Sequence, residues 1–252
     1  MHWLRRTSLA APTFLLGLSL FAQDRIALPN KSGTLARLPG WTVLTGAELT
    51  AASRPTDPTA EPARTMLKGM IDVLREKKRE AEHVLLHSPG TAAGSVRIVN
   101  AYSAGYSVAS ADLQKPEVAA GLRKELETNL AAPGVKVTFA GSGSSQLFAV
   151  GGIVLSFELS LADVAWHDVL HAVPAGDRIQ FFEAAFLGAD VDARGEIEAL
   201  LRTFDGALEG RSVDFWRATL IGGGAGAIGG ILASVWRRRR QRAAANREAG
   251  AT

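Results

Sequence analysis

The stretch that decides the fold is IVLSFELSLADVAWHDVLHAVPAGDRIQFFEAAFL, residues 153–187. Its first part, residues 153–161, alternates apolar and polar side chains, which is the pattern of a half-buried strand. Residues 164–173 and 178–187 are predicted as two further strands, because PAGD at 174–177 has the composition of a tight turn. Consecutive strands joined by tight turns pair antiparallel, so this stretch predicts an antiparallel meander.

Further strands are predicted before this meander. Residues 38–44 contain a turn followed by a short strand, and residues 96–108 have the composition of a longer one. Glycine and serine at residues 141–144 indicate another turn. We therefore expect residues 135–139 and 147–150 to form a hairpin around it.

Three amphipathic helices are predicted at residues 63–83, 117–130 and 192–204, where apolar residues recur every three and four positions. Helices that flank antiparallel strands must cover a face of the sheet. The predicted fold class is therefore α+β, an antiparallel sheet flanked by helices in one domain at residues 38–210, after a lead-in segment at 23–37. We expect the core to include Trp41, Ile71, Leu74, Val137, Leu155, Phe157, Phe182 and Leu201.

The first 22 residues have the pattern of a signal peptide. A basic start at residues 1–6 precedes a 14-residue apolar run at 9–22, which is too short to span a bilayer. Leu20 stands where a small residue is preferred for cleavage after Ala22. Residues 1–22 are thus predicted to be a signal peptide, with a retained N-terminal anchor as the alternative.

A second membrane signal lies near the C-terminus. Residues 218–236 form 19 positions without a charge, about 28 Å as a helix against a hydrocarbon core of about 30 Å. Arginines follow immediately, which places the basic tail at 237–252 in the cytoplasm by the positive-inside rule. The arginines predicted to determine the topology are Arg237, Arg238, Arg239 and Arg240.

Together the two signals predict a single-pass type I protein of the cell membrane. Its main domain is then extracytoplasmic, and periplasmic if the cell is Gram-negative. The alternative is an exported protein that is released when a C-terminal sorting signal is processed. No sorting motif precedes the apolar span, and residues 241–252 continue well past the four arginines.

Small residues recur along the predicted transmembrane helix. Gly222, Gly226 and Gly230 are four positions apart, and Ser234 lies one step beyond them. Such a face lets two helix backbones approach closely in lipid, so it predicts a homo-oligomer through this helix. Six glycines among 19 residues give this spacing by chance as well, and a simple anchor is the alternative.

Composition excludes several function classes. The chain of 252 residues contains no Cys, which excludes disulfide scaffolds, thiolate metal sites and cysteine nucleophiles. Residues 23–217 hold 20 basic and 24 acidic residues, a balance of −4. A nucleic-acid-binding protein carries its basic residues on a folded face, so the predicted partners are the membrane and an unidentified protein, and no nucleic acid.

The histidines of the chain do not predict a metal site. His167 and His171 lie on a predicted strand, where a spacing of four residues separates them by about 13 Å. His83 and His87 have the same spacing at the predicted end of a helix, without the glutamate of an HExxH motif. We expect no metal and no cofactor.

No catalytic residues are predicted either. The GSGSS sequence at residues 141–145 matches neither a nucleophile elbow nor a phosphate-binding loop. Four carboxylates of the meander are able to converge for acid/base chemistry, although nothing in their spacing requires a pair. These carboxylates are Glu158, Asp163, Asp168 and Glu183.

The sequence pattern resembles one known family. The LPGW sequence at residues 38–41, the antiparallel meander and the helix containing EALLRTFD at 198–205 are similar to the PsbP/Mog-like sandwich. The resemblance implies a sheet flanked by helices, and bacterial proteins of this group are often exported or membrane-anchored accessory proteins. It implies no catalytic residues, and the long helix predicted at 63–83 departs from the pattern.

The function expected from the sequence is that of a membrane-anchored extracytoplasmic binding or accessory module without enzymatic activity. The absence of every catalytic template and the two targeting signals favour this interpretation. The alternative is a membrane-tethered hydrolase or ligand-modifying enzyme whose site is dispersed over loops. A polar pocket in the folded domain favours the enzyme.

Overall fold

The computed structural model describes most of the predicted domain. The described residues are 24–51, 71–72, 74–75, 78–91, 95–105, 107–130, 135–161 and 164–211. The predicted signal peptide, the predicted transmembrane helix with its predicted small-residue face, and the four arginines at 237–240 lie outside these residues. Within the described ranges, no helix is both long enough and apolar enough to cross a membrane.

Nine strands are present in the described chain. The first two, β1 (Arg25–Ala27) and β2 (Thr34–Ala36), form a separate antiparallel hairpin. The other seven are β3 (Thr42–Leu44), β4 (His83–Pro89), β5 (Val96–Ala104), β6 (Val135–Ser145), β7 (Gly152–Leu161), β8 (Val164–Pro174) and β9 (Ile179–Leu187). They form one antiparallel sheet in the order β3-β4-β5-β9-β8-β7-β6.

The helices lie on both faces of this sheet. They are α1 (Gly46–Ala51), α2 (Ser110–Leu113), α3 (Pro116–Leu130) and α4 (Ala193–Leu201). Residues 71, 72, 74 and 75 are also helical, and short 3-10 turns occur at Pro29–Lys31 and Glu80–Glu82. The predicted α+β class, with an antiparallel sheet flanked by helices, is confirmed for the described residues.

Two hydrophobic layers hold these elements together. On the first face, Leu122 and Leu126 of α3 pack over Leu155, Phe157 and other buried residues of the sheet. On the second face, α4 and the β1–β2 hairpin cover a layer that includes Phe182 and Val169. Seven of the eight predicted core residues are buried, and only Val137, on the edge strand β6, is partly exposed.

The structure corrects the end of the first predicted helix. Residues 83–89 form the strand β4, so His83 and His87 are strand residues with buried side chains. Six of the seven β4 residues are buried, because β4 pairs with a strand on each side and is covered on both faces. Such a strand lacks polar alternation and is not distinguished from a buried helix by periodicity.

The predicted hairpin at residues 135–150 is also corrected. Residues 141–144 do not form a turn but continue the 11-residue strand β6, which pairs with β7 along its whole length. The register shifts between Phe139 and Gly141, where Gly141 has a φ of +156°. A glycine in that conformation accommodates a β-bulge, and the chain reverses later, between Ser145 and Gly152.

The predicted lead-in segment is the β1–β2 hairpin, and it is fixed to the segment after α4. Asp205 accepts hydrogen bonds from the backbone N–H and the hydroxyl of Thr34, at 2.7 and 2.8 Å. Arg25 donates to the carbonyl of Thr203 at 2.8 Å. Leu35 of the hairpin is fully buried in the second layer, so this segment is part of the folded domain.

Candidate functional site

A cleft of about 310 Å³ lies between the second face of the sheet and helix α4. Its floor is apolar and consists of Val154, Val169, Ala184 and Phe186, which come from three neighbouring strands. Ile197 of α4 closes one side. Polar groups surround this floor; they are Ser144, Ser145, Gln146, Ser156, His171, Arg194, Glu198 and Arg202.

The register of the sheet places these side chains together. Val154 pairs with His171, and Ser156 pairs with Val169, so alternate residues of β7 and β8 face the same side. The C-terminal end of β6 adds Ser145, which is opposite Gly152. Apolar residues of α4, including Ile197 and Leu201, anchor this helix on the second layer, which leaves the charged side of its turns at the cleft.

His171 is a buried polar group of the cleft, with 6% of its surface exposed. Its Nδ1 lies 3.2 Å from the hydroxyl oxygen of Ser145, and the ring of Phe148 approaches it edge-on. Burial, and to a smaller extent the charge of Arg194, lower the pKa of His171 to about 4. The imidazole is therefore neutral at neutral pH and has one donor and one acceptor nitrogen.

The Ser145–His171 pair lacks the third group of a catalytic triad. Among the described residues, no carboxylate hydrogen-bonds to the imidazole. A general base works best with a pKa near the operating pH, and the pKa of His171 lies well below neutrality. This geometry favours hydrogen bonding to a ligand over activation of the serine.

Charged groups of α4 and the residue after it stand at the mouth of the cleft. Arg202 donates to Glu198 at 3.2 Å, across one turn of the helix. Arg194 has no ion pair within the described ranges. The mouth therefore carries one positive charge that no neighbouring carboxylate balances.

A second polar group is buried on the opposite face of the sheet. Asp168 on β8 and Glu183 on β9 lie on adjacent strands, and Asn100 on β5 is directly opposite Glu183. Asn100 also contacts Nδ1 of His83 at 2.9 Å. Burial, and next the charge of Glu183, raise the pKa of Asp168 well above its ordinary range.

The predicted acid/base carboxylates are only partly brought together. Asp168 and Glu183 are neighbours in the core, whereas Glu158 is exposed and Asp163 lies outside the described residues. His167 and His171 share a face of β8, with His167 near Phe186 and His171 near Ser145. Within the described ranges, no three His, Asp or Glu side chains are placed to hold a metal.

Reasoning from the sequence missed the cleft. Its polar residues come from four separate elements, and neither Arg194 nor Ser156 belongs to a motif. Two features of the sequence pointed to the cleft: a histidine inside the apolar strand at 164–173, and the serines of GSGSS at 141–145. They gain meaning only through the pairing of β6, β7 and β8.

Comparisons with known proteins give a similarity of structure. No family model matches the chain, and no curated protein matches it. The fold is similar to the solution structure of cyanobacterial PsbP (CyanoP) from Synechocystis sp. PCC 6803, with a TM-score of 0.44 and 12% sequence identity. The similarity covers 78% of this chain and 99% of the other. No residue role is transferred from it, and the family assignment stays a prediction.

Proposed function

We propose that this chain is a membrane-anchored extracytoplasmic binding module, and that the cleft beside α4 is its ligand site. The observation that carries the proposal is the cleft itself, an apolar floor surrounded by hydroxyl, imidazole and guanidinium groups. Ligand sites of small molecules typically combine a mainly apolar surface with a few polar groups that fix orientation. A polar pocket by itself favours an enzyme, but this cleft has an apolar floor and, in the described part of the chain, no carboxylate on His171, and these two features support binding without catalysis.

A ligand that stays bound during purification would test whether the cleft is a ligand site. The full chain is purified in detergent from its own membranes and examined by native mass spectrometry for bound small molecules. Ser156→Trp fills the cleft from its floor side, and we expect the bound mass to disappear in this variant. Glu158→Trp is the matched control on the same strand, because Glu158 is exposed and does not line the cleft. A mass that survives Ser156→Trp, or no bound mass from wild type, contradicts the proposal.

The membrane anchor is part of the same proposal and rests on the sequence. The apolar span at residues 218–236 is followed by four consecutive arginines, and a signal-peptide pattern precedes the domain. An alkaline phosphatase fused before Asp214 should therefore be active, and a cytoplasmic fluorescent reporter fused after Arg242 should fluoresce. The opposite pattern contradicts the type I orientation, and release of the whole domain into the medium favours the processed alternative.

The Ser145–His171 contact supports a second candidate function, that of a membrane-tethered hydrolase. A serine hydroxyl 3.2 Å from an imidazole nitrogen is the first half of a nucleophile–base pair. A fluorophosphonate probe labels a serine nucleophile covalently, whereas the binding module remains unlabelled. Labelling that disappears in both Ser145→Ala and His171→Gln would establish the enzyme.

We also propose membership of the PsbP/Mog-like family. The LPGW sequence at residues 38–41 and the EALLRTFD sequence at 198–205 support it. The helix α4 ends at Leu201, so only the first four of these eight residues are helical. In this proposal the module acts beside a protein partner at the membrane. Crosslinking from the exposed ends of α4 in intact cells tests for that partner, and the absence of any specific adduct contradicts it.

A further inference from the structure

The charge of the cleft departs from that of the domain around it. Its lining contains Arg194 and Arg202 and a single carboxylate, Glu198, which already accepts a hydrogen bond from Arg202. Residues 23–217 together carry a balance of −4. A locally positive cleft in an acidic body attracts anions and not cations.

The buried imidazole of His171 points to the same class of ligand. Its Nδ1 contacts Ser145, and its Nε2 has no hydrogen-bond partner among the described residues. When the Ser145 hydroxyl donates to Nδ1, the proton resides on Nε2, which then donates to a ligand oxygen. The imidazole lines the cavity and its Nε2 still contacts solvent, so a ligand oxygen that enters the cleft replaces water as the acceptor.

The floor of the cleft indicates what the uncharged part of the ligand is. Val169 and Phe186 are buried apolar residues, and Val154 and Ala184 extend the same surface. A volume of about 310 Å³ is at the lower end for small-molecule sites. The space therefore suits a short apolar body and not a polar polymer such as an oligosaccharide.

We propose that the cleft binds a small amphiphilic anion, with a carboxylate or phosphate head beside Arg194 and His171 and a short apolar body on Val169 and Phe186. This inference rests on the proposed function, because it requires the cleft to be a ligand site. It goes further by naming the chemistry of the ligand. The head and the body are recognised by different residues and are therefore separable by experiment.

The experiment uses the full chain in lipid nanodiscs, with empty nanodiscs as the blank. The probes are hexanoate, hexyl phosphate, butanoate and hexan-1-ol, all soluble in water at the concentrations needed. Binding is followed by the methyl NMR signals of Val154, Val169 and Ile197, which line the cleft. Comparison of hexanoate with hexyl phosphate identifies which anionic head is preferred.

We expect both six-carbon anions to shift these three methyl signals. Butanoate should bind about 16-fold more weakly than hexanoate, since each buried methylene contributes about fourfold in affinity. Arg194→Gln should weaken hexanoate about tenfold, the effect of losing one hydrogen bond to a charged group, and leave hexan-1-ol unchanged. Arg123→Gln is the matched control, because Arg123 lies on α3 at the opposite face of the sheet.

Three results overturn the inference. If hexan-1-ol binds as tightly as hexanoate, or if Arg194→Gln weakens both equally, the anionic head is wrong while the cleft remains a ligand site. If no probe shifts the three methyl signals, the amphiphilic ligand class is wrong. The retained-ligand experiment with Ser156→Trp then decides separately whether the proposed function also fails.

Discussion

At the scale of single residues, Asp168 is a carboxyl group in the core without a compensating partner. It is 1% exposed, and neither of its oxygens has a hydrogen-bond partner among the described residues. Burial without a hydrogen bond disfavours the charged form strongly. The charge of Glu183 on the neighbouring strand acts in the same direction.

The raised pKa of Asp168 predicts a pH-dependent loss of stability. The unfolded carboxyl titrates near 3.8, and the folded one titrates at higher pH. Its contribution is therefore full below about pH 3.8 and is lost as the pH rises toward the folded pKa, by up to about 1.4 kcal/mol per pH unit. Asp168→Asn removes this pH dependence of the free energy of unfolding. Urea denaturation between pH 4 and 8 should show that the variant becomes more stable relative to wild type as the pH rises. If the two free energies change in parallel with pH, this prediction is wrong.

Unlike Asp168, the buried charges of Arg97 and Asp190 are paired with each other and hydrogen-bonded. Their side chains are 7% and 0% exposed, and two bonds of 2.8 and 3.0 Å join them. Removing one partner leaves the other charge buried and unpaired, so we expect Arg97→Met to lower the free energy of unfolding by about 3–5 kcal/mol. The double variant Arg97→Met/Asp190→Leu should recover most of this loss. If the two single effects simply add in denaturation experiments, the pair does not act as a unit.

At the scale of elements, the docking of the β1–β2 hairpin requires two glycines. A Cβ on Gly206 would overlap the carbonyl oxygen of Ser32, and one on Gly33 would meet the backbone of Gly206. The two backbones therefore approach too closely for any side chain.

Gly206→Ala should loosen this hairpin. We expect faster hydrogen exchange at the amides of Leu35 and Ala36 and a stability loss of about 1–3 kcal/mol, typical of overpacking. Gly195→Ala is the control, because Gly195 lies in α4 and a Cβ there meets nothing within 4 Å. That variant should gain about 0.5–1 kcal/mol. Equal exchange rates in both variants would show that the close approach is dispensable.

Elements with strong patterns were predictable from the sequence, and elements defined by tertiary pairing were not. β7, β8, β9 and α3 occur within a few residues of their predicted positions, because alternation and helical periodicity are local properties. The strand β4 follows a charged helical pattern and is buried on both faces, so local periodicity misassigns it. The bulged β6 contains glycine and serine at residues 141–145, where composition alone predicts a turn.

The candidate site follows the same rule. His171 was visible as a polar residue in an apolar strand, but its contact with Ser145 depends on the order β8-β7-β6 and on the bulge in β6. Arg194 reaches the cleft through the packing of α4 on the second layer. Neither relation is encoded in the spacing of residues along the chain.

At the scale of the whole molecule, the proposed transmembrane helix predicts a dimer. On the proposed helix, Gly222, Gly226 and Gly230 would share one face, so Gly226→Ile should weaken association in a membrane reporter assay by blocking close backbone approach. Gly224→Ile is the matched control, because the spacing of the proposed helix would place residue 224 off this face. If the two substitutions weaken association equally, the predicted face is not the contact.

The contact between the hairpin and the segment after α4 has a further consequence for the order of the chain. Arg25 donates to Thr203, which lies 178 positions later, and pairs with Asp205 at 3.1 Å. The first described strand, β1, therefore meets the segment that follows the last described helix, α4, at one corner of the domain. In the domain alone, without the proposed signal peptide and membrane span, a linker that joins these two segments lets the chain begin at β6 and end at α3. Such a circular permutant keeps every strand neighbour, because the sheet depends on spatial adjacency and not on where the polypeptide is cut.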